Sequence, residues 1–247
     1  METPIASLKA TLKIYLFGGL QILCNDIPLP PFPTAKAASL FAYLVTFRQR
    51  AHSRLVLAGT FWGDQADTQA RRNLSTTLWR LRCTIDPTYI VASEETVAFN
   101  THNDYWLDVA AFEESVHQGI RESGSRRPSD SPVPDSLLTA ISLYRGDFLE
   151  GYYDDWCLLE RERLRALYLQ ALQALVSGHK SRGEYQIALR YALLVTAQDP
   201  LHEEAHREVM CLHVLLGQRN EALQQYQLCH RLCQEELGQE PMPETTA

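Results

Sequence analysis

The sequence contains no run approaching the roughly 18 consecutive apolar residues that a membrane helix needs, so no bilayer-spanning segment is expected. Its first thirty residues lack a basic start followed by an apolar stretch and a cleavage site, and a cytoplasmic protein is the expectation. The six cysteines (Cys24, Cys83, Cys157, Cys211, Cys229, Cys233) follow neither a disulfide framework nor a CxxC knuckle, which predicts reduced thiols. P-loop, GxSxG and paired-glycine phosphate motifs are absent too, so no cofactor and no enzymatic reaction are expected. What remains is an ordinary globular composition, 45% hydrophobic and 21% charged, and its 247 residues suffice for two domains with separate cores.

One stretch organises the chain. In Asp67 to Ile85, DTQARRNLSTTLWRLRCTI, the residues Ala70, Leu74, Leu78, Leu81 and Ile85 recur at the spacing of a buried helical face. The opposite side carries Arg72, Ser75, Thr76, Trp79 and Arg80. Arg71 and Arg82 lie at the margins, where guanidinium groups reach sideways to phosphates while the middle of the helix faces base edges. A lone four-arginine helix is equally accounted for by a solvated basic face, and Trp79 by packing under a neighbouring element; context decides.

That context is a helix-turn-helix order. Thr34 is placed to cap AKAASLFAYLVTF, with apolar residues at 37, 40, 41, 44 and 45. Ser53 is placed to cap RLVLAGTFWG, in which Leu55, Leu57, Ala58 and Phe61 or Trp62 can turn inward and Gly63 ends the helix. Charge agrees locally although the whole chain carries −7, a balance that by itself discourages nucleic-acid binding. Residues 34 to 83 hold eight basic against two acidic residues, and the 137 residues after Ala110 hold thirteen against twenty-one, so the positive charge is confined to the three helices.

Ahead of these helices, Leu12 to Phe17 and Leu20 to Cys24 are rich in β-formers, Gly18 and Gly19 permit a kink, and Asn25-Asp26 suit the turn into Ile27 to Leu29; a small antiparallel sheet is predicted. The PPFP run at 30 to 33 is a stiff connector. After Asp86-Pro87, YIVAS and TVAFN flank a short polar connection and predict a β-hairpin wing.

The order of LFGGLQI (16 to 22), HSRLVLAGTFWGD (52 to 64), QARRNLSTTLWRLR (69 to 82), TVAFN (96 to 100), YWLDVAAFE (105 to 113) and LGQEPMPET (237 to 245) resembles the Streptomyces antibiotic regulatory protein family, also called AfsR-like activators, whose N-terminal part is of the OmpR winged-helix type. The hairpin departs from the family in lacking the wing's Gly-Gly-Tyr, and no receiver domain precedes the sheet, so phosphorylation of a receiver aspartate within this chain is not expected. The resemblance implies that the terminal PMPETTA leads into a further short helix and that a nucleotide-hydrolysing domain and more repeats follow in large relatives.

Residues 121 to 135, RESGSRRPSDSPVPD, read as a flexible linker. From Asp135 to Gln239 the pattern is helical, with Ala171, His179, Gly183, Ala188 and Leu189 matched 34 residues later by Ala205, His213, Gly217, Ala222 and Leu223. That is the tetratricopeptide period, with glycine expected at a close helix crossing and alanine where helices pack tightly. The resemblance names this part a bacterial transcriptional activator domain and implies contact with other protomers, RNA polymerase or a sigma factor. Asp154, Asp155, Trp156 and the ERER run at 160 to 163 are candidate contacts there, a solvated helix face being the alternative for the charges.

HEEAH at 202 to 206 matches H-E-x-x-H, yet its place just after Pro200 at a repeat-helix start gives the acids a helix-dipole role and Ala205 a packing role. Cys229, His230, Cys233 and His213 form a possible metal set against which core thiols four residues apart are the simpler account. No metal site is assigned.

The expected architecture is therefore mixed and mainly α: a winged helix-turn-helix over 1–110 with a small antiparallel sheet, three helices and a hairpin wing, a connecting segment and linker over 111–135, and an all-α tetratricopeptide-like domain over 136–247. The expected partner is double-stranded DNA, bound through Arg72, Ser75, Thr76, Trp79 and Arg80 in the groove and Arg71, Arg82, Lys36 and Arg54 on phosphate, with self-association on direct repeats and no membrane contact. The competing reading is a protein-interaction or autoinhibitory module whose winged helix docks protein.

Overall fold

The computed structural model describes residues 11–124 and 132–246. By its contacts the chain divides into two compact units, Met1–Ala110 with Arg145–Arg161, and Ala111–Tyr144 with Glu162–Ala247. No helix among the described residues is long and apolar enough to cross a membrane.

In the first unit, β1 (Leu12–Tyr15), β2 (Gln21–Cys24) and β3 (Ile27–Pro28) pair antiparallel. The β2–β3 turn is Asn25-Asp26, both with positive φ (51° and 67°), the conformation that a two-residue hairpin demands and that Asn and Asp tolerate best. The sheet is completed by β7 (Tyr105–Leu107), which pairs with β1 in parallel, so the order is β3-β2-β1-β7. Three helices follow the hairpin. For α1 (Ala35–Thr46), the Thr34 hydroxyl accepts from the Ala37 N–H at 3.2 Å, the expected cap. Next come α2 (Arg54–Trp62) and α3 (Asp67–Thr84).

Two local expectations change around α2. Ser53 makes no side-chain cap; it belongs to a two-residue strand β4 (His52–Ser53) that pairs with the wing. Leu55 does not turn inward but is 59% exposed, because the inward positions of this nine-residue helix are filled by Leu57, Ala58, Phe61 and Trp62. After a 3-10 turn at Pro87–Tyr89, the hairpin β5 (Ile90–Ala92) and β6 (Thr96–Phe99) forms the wing, and β4 makes it three-stranded in the order β4-β6-β5.

The second unit holds most of α4 (Asp108–Gly124), then α5 (Asp135–Leu143), the greater part of α6 (Asp155–Ser181), and α7 (Tyr185–Gln198), α8 (Glu203–Leu215), α9 (Arg219–Leu232) and the short α10 (Pro243–Thr246). Of the predicted linker, 121–124 are the last turn of α4, 132–134 precede α5, and 125–131 lie outside the described residues. The helical pattern read across 135–239 is interrupted between Tyr144 and Asp154. There Leu149 and Gly151 take positive φ (48° and 85°), the chain bends, and Phe148 bridges to Phe17 of the first unit's own sheet region. Residues 145–161 thus pack with the winged helix rather than with the repeats.

The repeat appears as two helix pairs, α6–α7 and α8–α9. Their shared core is Val176, Ala188, Leu189, Ala192, Val209 and Leu212. Gly183 and Gly217 are not at a helix crossing: each has φ +75° and ends the first helix of its pair in a left-handed turn. The turns are copies. Glu184 N–H bonds the His179 carbonyl at 3.0 Å and Gln218 N–H the His213 carbonyl at 2.8 Å; His179 Nδ1 donates to Glu184 Oε2 at 2.6 Å and His213 Nδ1 to Gln218 Oε1 at 2.9 Å. Both bonds of His179 and Arg182 to the Glu184 carboxylate hold its pKa below the ordinary value. The alanines of both repeats are buried, whereas Leu189 is 4% and its counterpart Leu223 is 53% exposed.

Candidate nucleic-acid interface

The core stripe of α3 is as the spacing demands: Ala70, Leu74, Leu78, Leu81 and Ile85 are buried, joined by Thr77. With that face fixed against α1 and α2, the opposite face is forced outward. Arg71, Arg72, Ser75, Thr76 and Arg82 are exposed and Arg80 is half-buried. Trp79 is 66% exposed and does not pack under the wing.

Eight of the nine candidate residues fall into three groups. Arg72, Thr76 and Trp79 stand on the open face of α3. On one flank Arg54, Arg71 and Ser75 line a hollow whose rim includes the wing-turn acids Glu94 and Glu95. Here Arg54 Nη2 donates to Ser75 Oγ at 2.8 Å, Ser75 Oγ donates to the Arg71 carbonyl at 3.0 Å, and the Arg54 N–H bonds the Glu95 carbonyl at 2.8 Å. Ser75 thereby joins α2 to α3 instead of standing free on the groove face. On the other flank Lys36, Asn73, Thr76 and Arg80 line a second hollow. Lys36 Nζ sits 3.6 Å from the Asp154 carboxylate and 5.8 Å from the Phe61 ring centre, so its charge is partly paired. Arg82 stands apart from all three groups, with Nη2 donating 3.1 Å to the Ile90 carbonyl of the wing.

Neutral amides also line this face. Gln69 Nε2 donates to Asn73 Oδ1 at 3.0 Å, and Asn73 Nδ2 to Gln65 Oε1 at 2.6 Å. Gln69, Asn73, Thr76 and Arg80 follow i, i+4, i+7, i+11, a polar stripe legible in the spacing but silent in a count of charges.

Four of the candidate contacts at 154–163 have structural partners. Asp154 Oδ2 accepts from Ser39 Oγ at 2.6 Å, Trp156 meets Tyr43 edge-on at 5.2 Å, and Arg161 donates to the carbonyls of Phe148, Leu149 and Tyr152 at 2.8, 2.7 and 3.0 Å. Arg163, in the second unit, pairs with Glu113. In HEEAH, His202 Nδ1 accepts from the Ala205 N–H at 3.1 Å; His206 donates from Nε2 to the Pro200 carbonyl at 3.0 Å and accepts at Nδ1 from Gln225 at 2.7 Å. Both nitrogens of His206 are thus engaged by the protein.

Residues 107–247 match the family described as bacterial transcriptional activator domain. The Regulatory protein AfsR of Streptomyces coelicolor is 27% identical over 207 residues, which cover 83% of this chain and 20% of AfsR. A solved structure of Mycobacterium tuberculosis EmbR, in complex with a low affinity phosphopeptide, superposes with a TM-score of 0.79 at 20% identity, over 96% of this chain and 64% of that one. That likeness establishes the mixed, mainly helical fold. The chain spans a fifth of the length of AfsR.

Proposed function

Since the chain belongs to the bacterial transcriptional activator domain family and is a transcription regulator of the Streptomyces antibiotic regulatory protein type, we propose that residues 1–110 bind double-stranded DNA with α3 in a major groove and that residues 136–247 make regulatory protein contacts. The observation that carries this reading is the two-faced construction of α3. A dry stripe anchors it, and Arg72, Thr76 and Trp79 stand exposed between two flanks bearing Arg54, Arg71, Lys36 and Arg80.

The roles follow from reach and chemistry. Arg72 offers a planar pair of donors for guanine, Thr76 a hydroxyl and a methyl, and Trp79 an apolar edge for thymine methyls. Arg54 and Arg71, with Ser75 fixing Arg54, address phosphate on the wing side; Lys36 and Arg80 address it on the α1 side; Arg82 bonds the wing and adds its remaining donors. Regulation by this chain needs no catalytic step and no cofactor, and it takes place in the cytoplasm. Binding to direct repeats, head-to-tail self-association and contact with RNA polymerase or a sigma factor extend the same reading by family analogy.

Selection from random duplexes at moderate salt tests the proposal. A retained, directly repeated motif supports it. Arg72→Ala should then relax sequence choice, and Arg71→Ala should weaken binding evenly across sequences. If no duplex is retained at any salt, a second reading takes over, in which the winged helix docks protein. The exposure of the neighbouring Leu55 and Val56 on α2, at 59% and 56%, favours that alternative, since exposed apolar surface marks protein contacts.

A further inference from the structure

Two buried thiols in the last repeat acquire a neighbour that the sequence pattern did not suggest. His213 bonds Gln218, and His230 Nε2 lies 2.7 Å from Glu240, so both imidazoles have protein partners. The group brought to Cys229 and Cys233 is instead Glu203, the first residue of α8. A carboxylate oxygen of Glu203 and the two Sγ atoms all lie within 4.8 Å of one another, and the two cysteines are 1% and 2% exposed. We propose that Glu203, Cys229 and Cys233 form a binding site for a thiophilic divalent cation, of which zinc is the type, fastening the C-terminal segment to the last helix pair.

The donor set selects the class of ion. Two sulfurs and one carboxylate suit a borderline-soft cation such as Zn2+, Co2+ or Cd2+ and disfavour Mg2+ and Ca2+. Cysteines four apart share one helix face. At Cys233 the helix widens into a π-helical turn, Cys233–Leu237, a local distortion common at functional sites. Three atoms no more than 4.8 Å apart enclose a point within 4.8/√3, about 2.8 Å, of each. Donor movements of roughly 0.5 Å bring that to zinc–sulfur bonding distance, about 2.3 Å.

The carboxylate is also held as a ligand should be. Glu203 Oε2 accepts from the Met242 N–H at 2.9 Å and from Thr245 Oγ1 at 2.8 Å, and Arg207 Nη1 donates to Thr245 Oγ1 at 3.0 Å. Such outer hydrogen bonds orient ligating carboxylates. Both come from the segment after Gly238, so a cation on Glu203 couples α9 to α10. Binding exchanges two S–H bonds for two metal–sulfur bonds and releases two protons to solvent, without oxidation. Three protein donors leave the fourth tetrahedral position to water.

The test is titration of the reduced, metal-free chain with Cd2+, read by the near-ultraviolet thiolate-to-metal charge-transfer band. One equivalent should saturate the band at the intensity of two thiolates, and Zn2+ should displace it. Cys229→Ser with Cys233→Ser should abolish the band; the doubly substituted Cys83→Ser, Cys211→Ser chain should keep it, both residues being exposed. Glu203→Gln should weaken binding, and Thr245→Val should do so roughly tenfold to a hundredfold, as outer-shell losses do. If the ligand variants unfold, X-ray absorption of the zinc-loaded wild-type chain must show two sulfur and two light-atom neighbours. A band that survives loss of both cysteines, its absence at stoichiometric Cd2+, or a coordination shell without two sulfurs overturns the assignment.

Discussion

Asp108 is wholly buried, yet its carboxylate accepts the N–H groups of Leu16 (2.9 Å), Phe17 (3.0 Å) and Val109 (2.7 Å), fastening the end of β1 to the start of α4. Burial pushes its pKa up, and these N–H donors only partly offset that. Asp108→Ala strands three donors in a dry site, and at about 1–3 kcal/mol each the loss should be at least about 3 kcal/mol, measured by urea denaturation. Asp108→Asn keeps one acceptor oxygen and should fall between. A loss under about 1 kcal/mol for the alanine variant would mean that the site relaxes or admits water. His52, also buried, gives a pH dependence. Its Nε2 donates to the Phe47 carbonyl at 3.0 Å, and desolvation lowers its pKa below the ordinary value near 6.5. The unfolded chain then binds the proton more readily, so stability is complete above that ordinary value and is lost as pH falls through it toward the lower folded value, by at most about 1.4 kcal/mol per pH unit. His206 shifts in the same direction through burial. Melting temperatures between pH 7.5 and pH 5.5 should therefore decline, and less steeply in His52→Gln.

At the scale of elements, what was legible in the sequence was whatever local periodicity and chain order determine. The Thr34 cap, the dry stripe of α3, the wing hairpin and the 34-residue repeat each depend on residues a few positions apart or on a fixed period. What was not legible depends on partners far along the chain. Asp108 lies 92 residues from Leu16, and nothing in the helical pattern of 135–239 signals that 145–161 leave the repeats to pack beneath the winged helix. Trp79 was readable as exposed or buried, because amphipathic rings suit either, and only the filling of the core by Leu74, Leu78 and Leu81 leaves it exposed. Spacing identifies Gly183 and Gly217 as a repeat pair but not as left-handed turns, since spacing carries no φ. Their φ of +75° makes a specific prediction: open space surrounds both Cβ positions, so alanine meets no clash, only backbone strain. Gly183→Ala and Gly217→Ala should each destabilise the chain by about 1–2 kcal/mol. Equal costs in chemical denaturation would confirm that the turns are equivalent; no cost at either would mean that the left-handed turn is not maintained.

For the whole molecule the proposed function raises the electrostatic question of how a chain of net charge −7 would hold a polyanion. Its positive charge is local: six of the eight basic residues between Thr34 and Cys83 are candidate DNA contacts, and the wing-turn carboxylates of Glu94 and Glu95 border the same hollow as Arg54 and Arg71. Short-range phosphate contact is therefore favoured, while charges more than a Debye length away, about 10 Å at 0.1 M salt, are largely screened. With Lys36, Arg54, Arg71, Arg80 and Arg82 on phosphate, the plot of log affinity against log salt should have a slope of about −4.5. Arg71→Ala should reduce its magnitude by about one and leave sequence preference intact, whereas Arg72→Ala should flatten preference at one base position with a cost of about 1–3 kcal/mol. Glu94→Gln should act in the opposite sense to Arg71→Ala, strengthening all duplexes alike, because it removes a charge that repels the same phosphate. Fluorescence anisotropy across a salt series with matched and scrambled duplexes measures all three variants at once. A slope near zero, or one that neither arginine variant changes, would remove α3 from the interface and leave its exposed face to a protein partner.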